Sequence, residues 1–452
     1  MPSSISSGVL TLLHTACGAG ILAMPYAFKP FGFVFGVLMI IFCGICSVST
    51  LLIQAKVAKY APDKGAASFF SLTQVIDKNL SVIFDLAIAI KCLGVGISYL
   101  IVVGDLLPQI AGSITDHGLL MNRDFHITLV IIFIVTPLCL MKKLNSLRHT
   151  STLAILSVAY LCVLVMVHYF FPTPEMGELK GHVSIGFPHH EPSILTTLPI
   201  FVFAYTCHHN MFSVINEQKD GSFKSTKYIP LISTFFACLL YIAIGGCGYL
   251  SFGDNIVGNI ITLYPHSASS VIGRIAITML VMLAFPLQCH PARSSIHNIL
   301  LFFFPNLEEK LSRSEVAASA SNPSERTPLV RSISSLEENG IAEEQGSIND
   351  VPIEMDNRLF LAITAGIILV SYLVAMSVRS LDKVLSIVGA TGSTSISFIL
   401  PGIFGYMLIG SDGNPLTRQD KIFKKLGLLA TLWGFFVMTA SLFAAIKLNA
   451  KH

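Results

Sequence analysis

Eleven stretches of this chain are apolar over about 17 residues or more, within the range needed to cross a ~30 Å hydrocarbon core. They lie at roughly 5–28, 31–57, 80–112, 125–141, 150–171, 193–216, 228–250, 268–290, 357–378, 382–409 and 422–447. Runs of this length without strict alternation read as helices, and lipid leaves helices few rivals because it cannot hydrogen-bond a loose backbone. Only 12% of the 452 residues are charged, about half of the ~25% usual in soluble domains. The expected fold class is an all-α polytopic membrane protein with 11 transmembrane helices. The spans at 80–112 and 382–409 exceed one bilayer thickness, which predicts tilt or kinks. The first run has neither a basic leader nor a cleavage site, so it reads as a span rather than a signal peptide.

Lysine and arginine orient the bundle. With the N-terminus in the cytosol, the loops on that side outnumber the opposite ones in basic residues by about three to one, counting Lys142, Lys143, Arg148, Lys219, Lys224, Lys227, Lys421 and Lys424 among them. The C-terminus then falls on the luminal side. The chain divides into helices 1–8 over 1–304, a polar loop over 305–356 and helices 9–11 over 357–452. That loop is rich in Ser, Glu and Asn without apolar periodicity, which predicts a disordered cytosolic segment. Its serines and the ERTPLV run at 325–330 offer sites for kinase or sorting machinery.

The first span breaks its own pattern. HTACGAGILAMPYAF, residues 14–28, places Gly18 and Gly20 within three residues and Pro25 soon after. Glycine costs about 1 kcal/mol in a helix interior and proline about 3. Close helix packing is one explanation; an unwound segment whose freed backbone groups hold a ligand is the other. Five spans later, TTLPIFVFAYTCHHNMFSVINE at 196–217 is apolar, then polar at Thr206, Cys207, His208, His209 and Asn210, then apolar again. An odd number of spans per unit inverts the second unit against the first. This predicts a 5+5 inverted repeat plus one extra helix, with paired interruptions at mid-depth. Such pairs point to a transporter's binding site. The amides after Gly18-Ala19-Gly20, flanked by Cys17 and Ile21, suit an α-carboxylate. The carbonyls near Phe203 and Ala204, with Thr206 and His208 beside them, suit an ammonium. One zwitterionic amino acid satisfies both.

At these residues the chain resembles the amino acid/auxin permease family. GAGILAMPYAF, GVGISYLIVVGDLLPQI, FAYTCHHNMFSVINE, FPLQCHPARSS and GATGSTSISFILPG carry the likeness, which spans nearly all eleven helices and lapses in 305–356. The resemblance implies a LeuT-like fold and is greatest to the fungal vacuolar branch that exports aspartate and glutamate, and hence implies a vacuolar membrane location. Sodium-coupled relatives carry Asn where this chain has His14, and a helix 8 threonine where it has Met282, Leu283, Ala284 and Phe285. Sodium wants hard oxygen ligands, whereas imidazole titrates near pH 6.5. The departure implies proton coupling or proton-gradient sensing, with His14, His208, His209 and His290 as candidate carriers.

Charges inside spans are rare and commonly functional. Asp85 and Lys91 stand in the third span, either as an ion pair or with Lys91 taking the second carboxylate of an acidic substrate. Arg274 and Arg293 are expected at interfaces or water, and Asp105 near the luminal end of the third span, as a cap or gate. The luminal His182, His189 and His190 read as hydrated. No paired-carboxylate constellation, nucleotide loop or metal-ligand pattern in a polar setting occurs, so neither an enzyme nor a cofactor nor a metal site is expected. CGIC at 43–46 lies in an apolar helix, and the ten cysteines imply no disulfide framework. A net charge of +3 makes no case for a nucleic-acid partner. The expected partners are an amino acid, protons and the bilayer; the expected function is proton-coupled export of acidic amino acids. Neutral or basic substrates, or an amino-acid sensor acting through the 305–356 loop, are the alternatives.

Overall fold

The computed structural model describes residues 4–62, 67–77, 79–115, 117–141, 150–186, 193–305, 355–413 and 415–449. The described residues form helices and turns with no strand. The first span is two helices, α1 (Ile5–Ala16) and α2 (Gly20–Ala27), bent by 59° across the Gly-Ala-Gly segment. The second is α3 (Gly32–Val57). A short helix that the sequence reading did not foresee, α4 (Phe69–Ile76), follows, started by reciprocal Ser68 and Ser71 hydrogen bonds that satisfy its first amides.

The long third span is one continuous helix, α5 (Leu80–Ala111). The fourth is divided: α6 (Arg123–Val130) passes through a wide turn at Ile131–Val135 into α7 (Thr136–Cys139). Then come α8 (Thr150–Phe170), the short α9 (Pro174–Leu179), α10 (Ile194–Ala204) and α11 (His208–Glu217). After α12 (Phe223–Thr226) run α13 (Tyr228–Phe252) and α14 (Ala268–Phe303). Beyond the 305–356 segment, nearly all of which lies outside the described residues, stand α15 (Asn357–Ser377), α16 (Leu381–Val388), α17 (Leu400–Leu408) and α18 (Arg418–Asn449). Two consecutive wide turns, Gly389–Ser393 and Ser395–Ile399, join α16 to α17.

Eight described helices are long and apolar enough to cross a membrane, and nine spans result if α1 and α2 count as one. The expected eleven includes two more runs, 125–141 and 193–216. The first is helical without a break from Arg123 to Cys139 but is short for a crossing, and the second is cut by the polar segment between α10 and α11. Helices α5 and α14 lie against each other along most of their length at the centre. By contrast α18 is the most lipid-accessible span and packs mainly on α17.

On the side where α3 begins, residues 181–186 run as a strap. Gly181 N donates to Phe252 O (2.8 Å), Asp254 N to His182 O (3.0 Å), Phe33 N to Ser184 O (2.9 Å) and Val34 N to Ile185 O (3.0 Å). One stretch of main chain thereby holds the start of α3 to the end of α13. His182 is exposed, 3.9 Å from the Asp254 carboxylate; His189 and His190 lie outside the described residues.

Three expectations about charges need correction. Asp85 and Lys91 do not pair, because six residues on one helix separate them by about 120° in azimuth and each meets a different neighbour. Arg274 does not reach an interface: it is fully buried and donates to Tyr264 O at 2.6 Å, beneath the turn that precedes α14. Arg293 is also buried, donating to Cys139 O at 2.7 Å with its guanidinium 3.9 Å from the centre of the Phe360 ring.

Candidate functional site

Both helix interruptions are closed by one side chain. The hydroxyl of Tyr241, in the middle of α13, lies 2.9 Å from Ala16 O and 2.6 Å from Ala204 O. Those are the last carbonyls of α1 and α10, which no longer have a helical amide ahead of them. Ala16 O also accepts from Gly18 N (2.8 Å). The hydroxyl has one proton, which the shorter contact assigns to Ala204 O; left unpaired, that buried carbonyl would cost about 1–3 kcal/mol, whereas Ala16 O keeps the Gly18 amide. It is fully buried, its ring edge-on to Tyr205 at 5.1 Å between centroids.

The two glycines serve different ends. A β-carbon on Gly20 would come within 2.9 Å of the Phe203 ring and 3.3 Å of the Ala204 backbone. There the start of α2 packs directly on the end of α10. One on Gly18 would come within 3.3 Å of the Tyr99 hydroxyl, from α5. Close packing and unwinding thus hold side by side in one motif.

On the N-terminal side of the breaks opens a cavity of about 610 Å³, bounded by α1, α4, α5, α11 and α14. Thr15, Tyr99, His209, Asn210 and Gln288 line its deep part, and Asp85, Ser294, Ser295 and Asn298 the part farther along α5 and α14. Asn210 donates to Thr15 Oγ1 at 2.8 Å, joining the last turn of α1 to the first turn of α11 at the cavity wall.

Of the predicted residues, His14, His209 and His290 line this cavity. Cys17, Gly18, Ala19, Gly20, Ile21, Phe203, Ala204, Thr206, His208 and Lys91 do not. The Phe203 ring packs over Gly20, and the Tyr241 hydroxyl lies on Ala204 O. Thr206 is buried, donating to Val202 O (3.0 Å) and accepting from Ser397 Oγ (3.2 Å), which couples the α10–α11 break to the wide turn before α17. Lys91 stands just behind the wall, its ammonium 3.0 Å from Gln288 Oε1 and 3.1 Å from His209 Nε2.

The adjacent histidines separate cleanly. His208 is fully buried against α3: its Nε2 lies 2.9 Å from Thr50 Oγ1 and its carbonyl accepts from Gln54 Nε2 at 3.3 Å. The Thr50 hydroxyl also reaches Ser47 O at 2.9 Å, so its proton is directed there and the ring nitrogen donates to Thr50. His209 points instead to the cavity and Lys91.

Sequence reasoning passed over Tyr241, Tyr99, Gln288, Thr15 and Asn210 as site residues. Tyr99 and Gln288 sit within quoted motifs, and Asn210 within the polar interruption. Tyr241 carried no signal, since an aromatic in an apolar run looks like any other.

At the opposite end of α5 the bundle is latched. Asp105 lies 3.8 Å from Arg123 Nε and accepts from Asn259 Nδ2 at 3.3 Å. Arg123 donates on to Ala375 O (3.1 Å) and Val378 O (3.5 Å) at the end of α15. A pocket of about 280 Å³ beside this latch is lined by Asp105, Gln109, Asn259, Arg379 and Asp382. Cavity and pocket therefore flank α5 at its two ends, with the two breaks between them.

This architecture is shared with a solved structure. The crystal structure of MhsT in complex with L-phenylalanine superposes with a TM-score of 0.60 over 98% of this chain and 99% of that one, at 11% sequence identity. In sequence, the chain is 58% identical to vacuolar amino acid transporter 6 of Saccharomyces cerevisiae over 99% of its length and 100% of the relative's. It is 52% identical to vacuolar amino acid transporter 5 of the same yeast over the whole of both chains. It is 34% identical to vacuolar amino acid transporter 5 of Schizosaccharomyces pombe over 96% of this chain and 92% of the other. The family model described as transmembrane amino acid transporter protein matches residues 1–447, and the chain belongs to that family, the amino acid/auxin permeases.

Proposed function

We propose that the protein is a secondary active amino acid transporter of the vacuolar membrane, multi-pass with a cytosolic N-terminus and luminal C-terminus, that exports acidic amino acids to the cytosol together with protons. The observation that carries the reading is the cavity that runs up to two facing helix interruptions while the far end of α5 stays latched. This is a one-side-open arrangement, and transport requires its mirror image to be reachable. Release of Tyr241 from Ala16 O and Ala204 O would free the main-chain groups that a zwitterion binds.

The Lys91 ammonium, behind His209 and Gln288, supports the acidic substrate: among the described residues no carboxylate pairs with it, and both of these partners are neutral. His209 joins that cation to the cavity and is the strongest proton-carrying candidate; His14 and His290 line the same space. The 305–356 segment serves sorting or kinase machinery in this reading.

The test is efflux from acidified vesicles preloaded with labelled glutamate, aspartate, glutamine or lysine. Glutamate and aspartate should leave fastest, and collapse of the pH gradient should slow them. Absence of flux for every amino acid, with and without the gradient, would refute transport. One observation favours a second reading, neutral or basic substrates: Asp85 is the ionisable carboxyl group among the cavity-lining residues. Faster efflux of lysine or glutamine would select it.

A further inference from the structure

We infer that Asp85, with Ser295 and Asn298, forms a second binding subsite for a primary ammonium group, far along the cavity from the helix breaks. Asp85 is 6% exposed, and a carboxylate so buried needs a cation or several hydrogen bonds. Its partners are all neutral: Asn298 Nδ2 donates to Oδ1 at 3.3 Å and the Ser295 hydroxyl hydrogen-bonds the same carboxyl group. No lysine or arginine among the described residues pairs with it, Lys91 being turned to His209 and Gln288. A carboxylate has about four acceptor positions, so two neutral donors leave room for a third, charged one.

The geometry gives the vacant capacity a ligand. Asp85 lines the cavity together with Ser68, Ser294 and His290 on the facing walls. Fourteen residues of α5 separate it from Tyr99 at the deep end, about 21 Å at 1.5 Å per residue. No single amino acid touches both poles, and about 610 Å³ exceeds what one amino acid fills. The two poles also differ in sign, with Lys91 behind one and Asp85 at the other. An amino acid leaving the breaks ammonium-first meets Asp85 as its last station. Ligands with an N–H-bearing cation are favoured: any α-amino acid, more so lysine, and simple alkylammonium ions that lack a carboxylate.

The subsite builds on the cavity being a transport vestibule, but its test does not need transport. Purified full-length protein is melted in detergent against increasing n-butylammonium, with tetramethylammonium, which has no N–H, as control. A concentration-dependent rise in melting temperature reports binding. The expected result is stabilisation by n-butylammonium, little by tetramethylammonium, at least a tenfold loss of apparent affinity in Asp85→Asn, and a smaller loss in Asn298→Ala. Asp85→Glu, which keeps the charge, should retain binding and guards against a variant that merely fails to fold. Equal affinity in wild type and in a folded Asp85→Asn, or no response in wild type, overturns the subsite. Asp85-dependent binding in a protein that moves no amino acid would leave the subsite standing and remove the transport reading instead.

Discussion

The Lys91 ammonium lies 3.1 Å from Nε2 of His209, and the contact fixes how protons are shared between them. A charged lysine has only hydrogens to offer, so Nε2 must accept and His209 carries its proton on Nδ1. A second proton on the ring would put two like charges about 3 Å apart in a water-poor setting, where repulsion is several kcal/mol. Protonating His209 therefore pushes Lys91 away from the wall, or brings an anion to it.

If an acidic substrate is that anion, Lys91→Met should lower glutamate efflux by at least tenfold while glutamine efflux falls less. Vesicle efflux with both labels measures the ratio. An equal fall for both substrates would make Lys91 a structural residue.

His209→Gln keeps an acceptor for Lys91 but cannot take a proton. Wild-type efflux should fall as luminal pH rises, because the carrier loses its charge. In the variant the profile should flatten. His208→Gln, in contrast, should keep the wild-type profile and melt at a lower temperature, since the ring is tied to Thr50 rather than to the cavity.

Tyr241→Phe deletes the hydroxyl that donates to Ala204 O and lies against Ala16 O. The loss should be about 1–3 kcal/mol, the cost of leaving a buried acceptor unpaired, read as a lower melting temperature in detergent. Efflux should fall too, as both breaks lose their common fixed point.

The latch at the other end predicts a shift in population. Partly exposed ion pairs contribute about 1 kcal/mol or less, so Arg123→Ala should raise the far-side-open fraction several-fold rather than abolish closure. Thr262→Cys, in the pocket beside Asp105, should react faster with a membrane-impermeant maleimide in the Arg123→Ala background. An unchanged labelling rate would count against a gating role.

Both interruptions were legible because glycine pairs and buried polar runs are costly in a lipid-facing helix and few structures tolerate them. The residues that shape the cavity were less legible, because facing depends on the azimuth of each helix and on which neighbour arrives. Gly18 and Gly20 marked the break, yet the ring that covers Gly20 comes from the other half of the chain. Asp85 and Lys91 are close in sequence, and only the placement of α14 and α11 shows that they meet different partners. Arg274 looked peripheral from its position near the start of a span; the turn that folds over it to offer Tyr264 O could not be read from α14 alone.

The main-chain strap across the start of α3 and the end of α13 has a mechanical corollary. Clamped there, the two helices have a common fulcrum. Any rocking of the pair is smallest at the strap and grows along its lever arm toward Lys56 and Tyr228. Over the 26 residues of α3, at 1.5 Å each, a tilt of about 10° sweeps the free end through about 7 Å, comparable to the width of an amino acid.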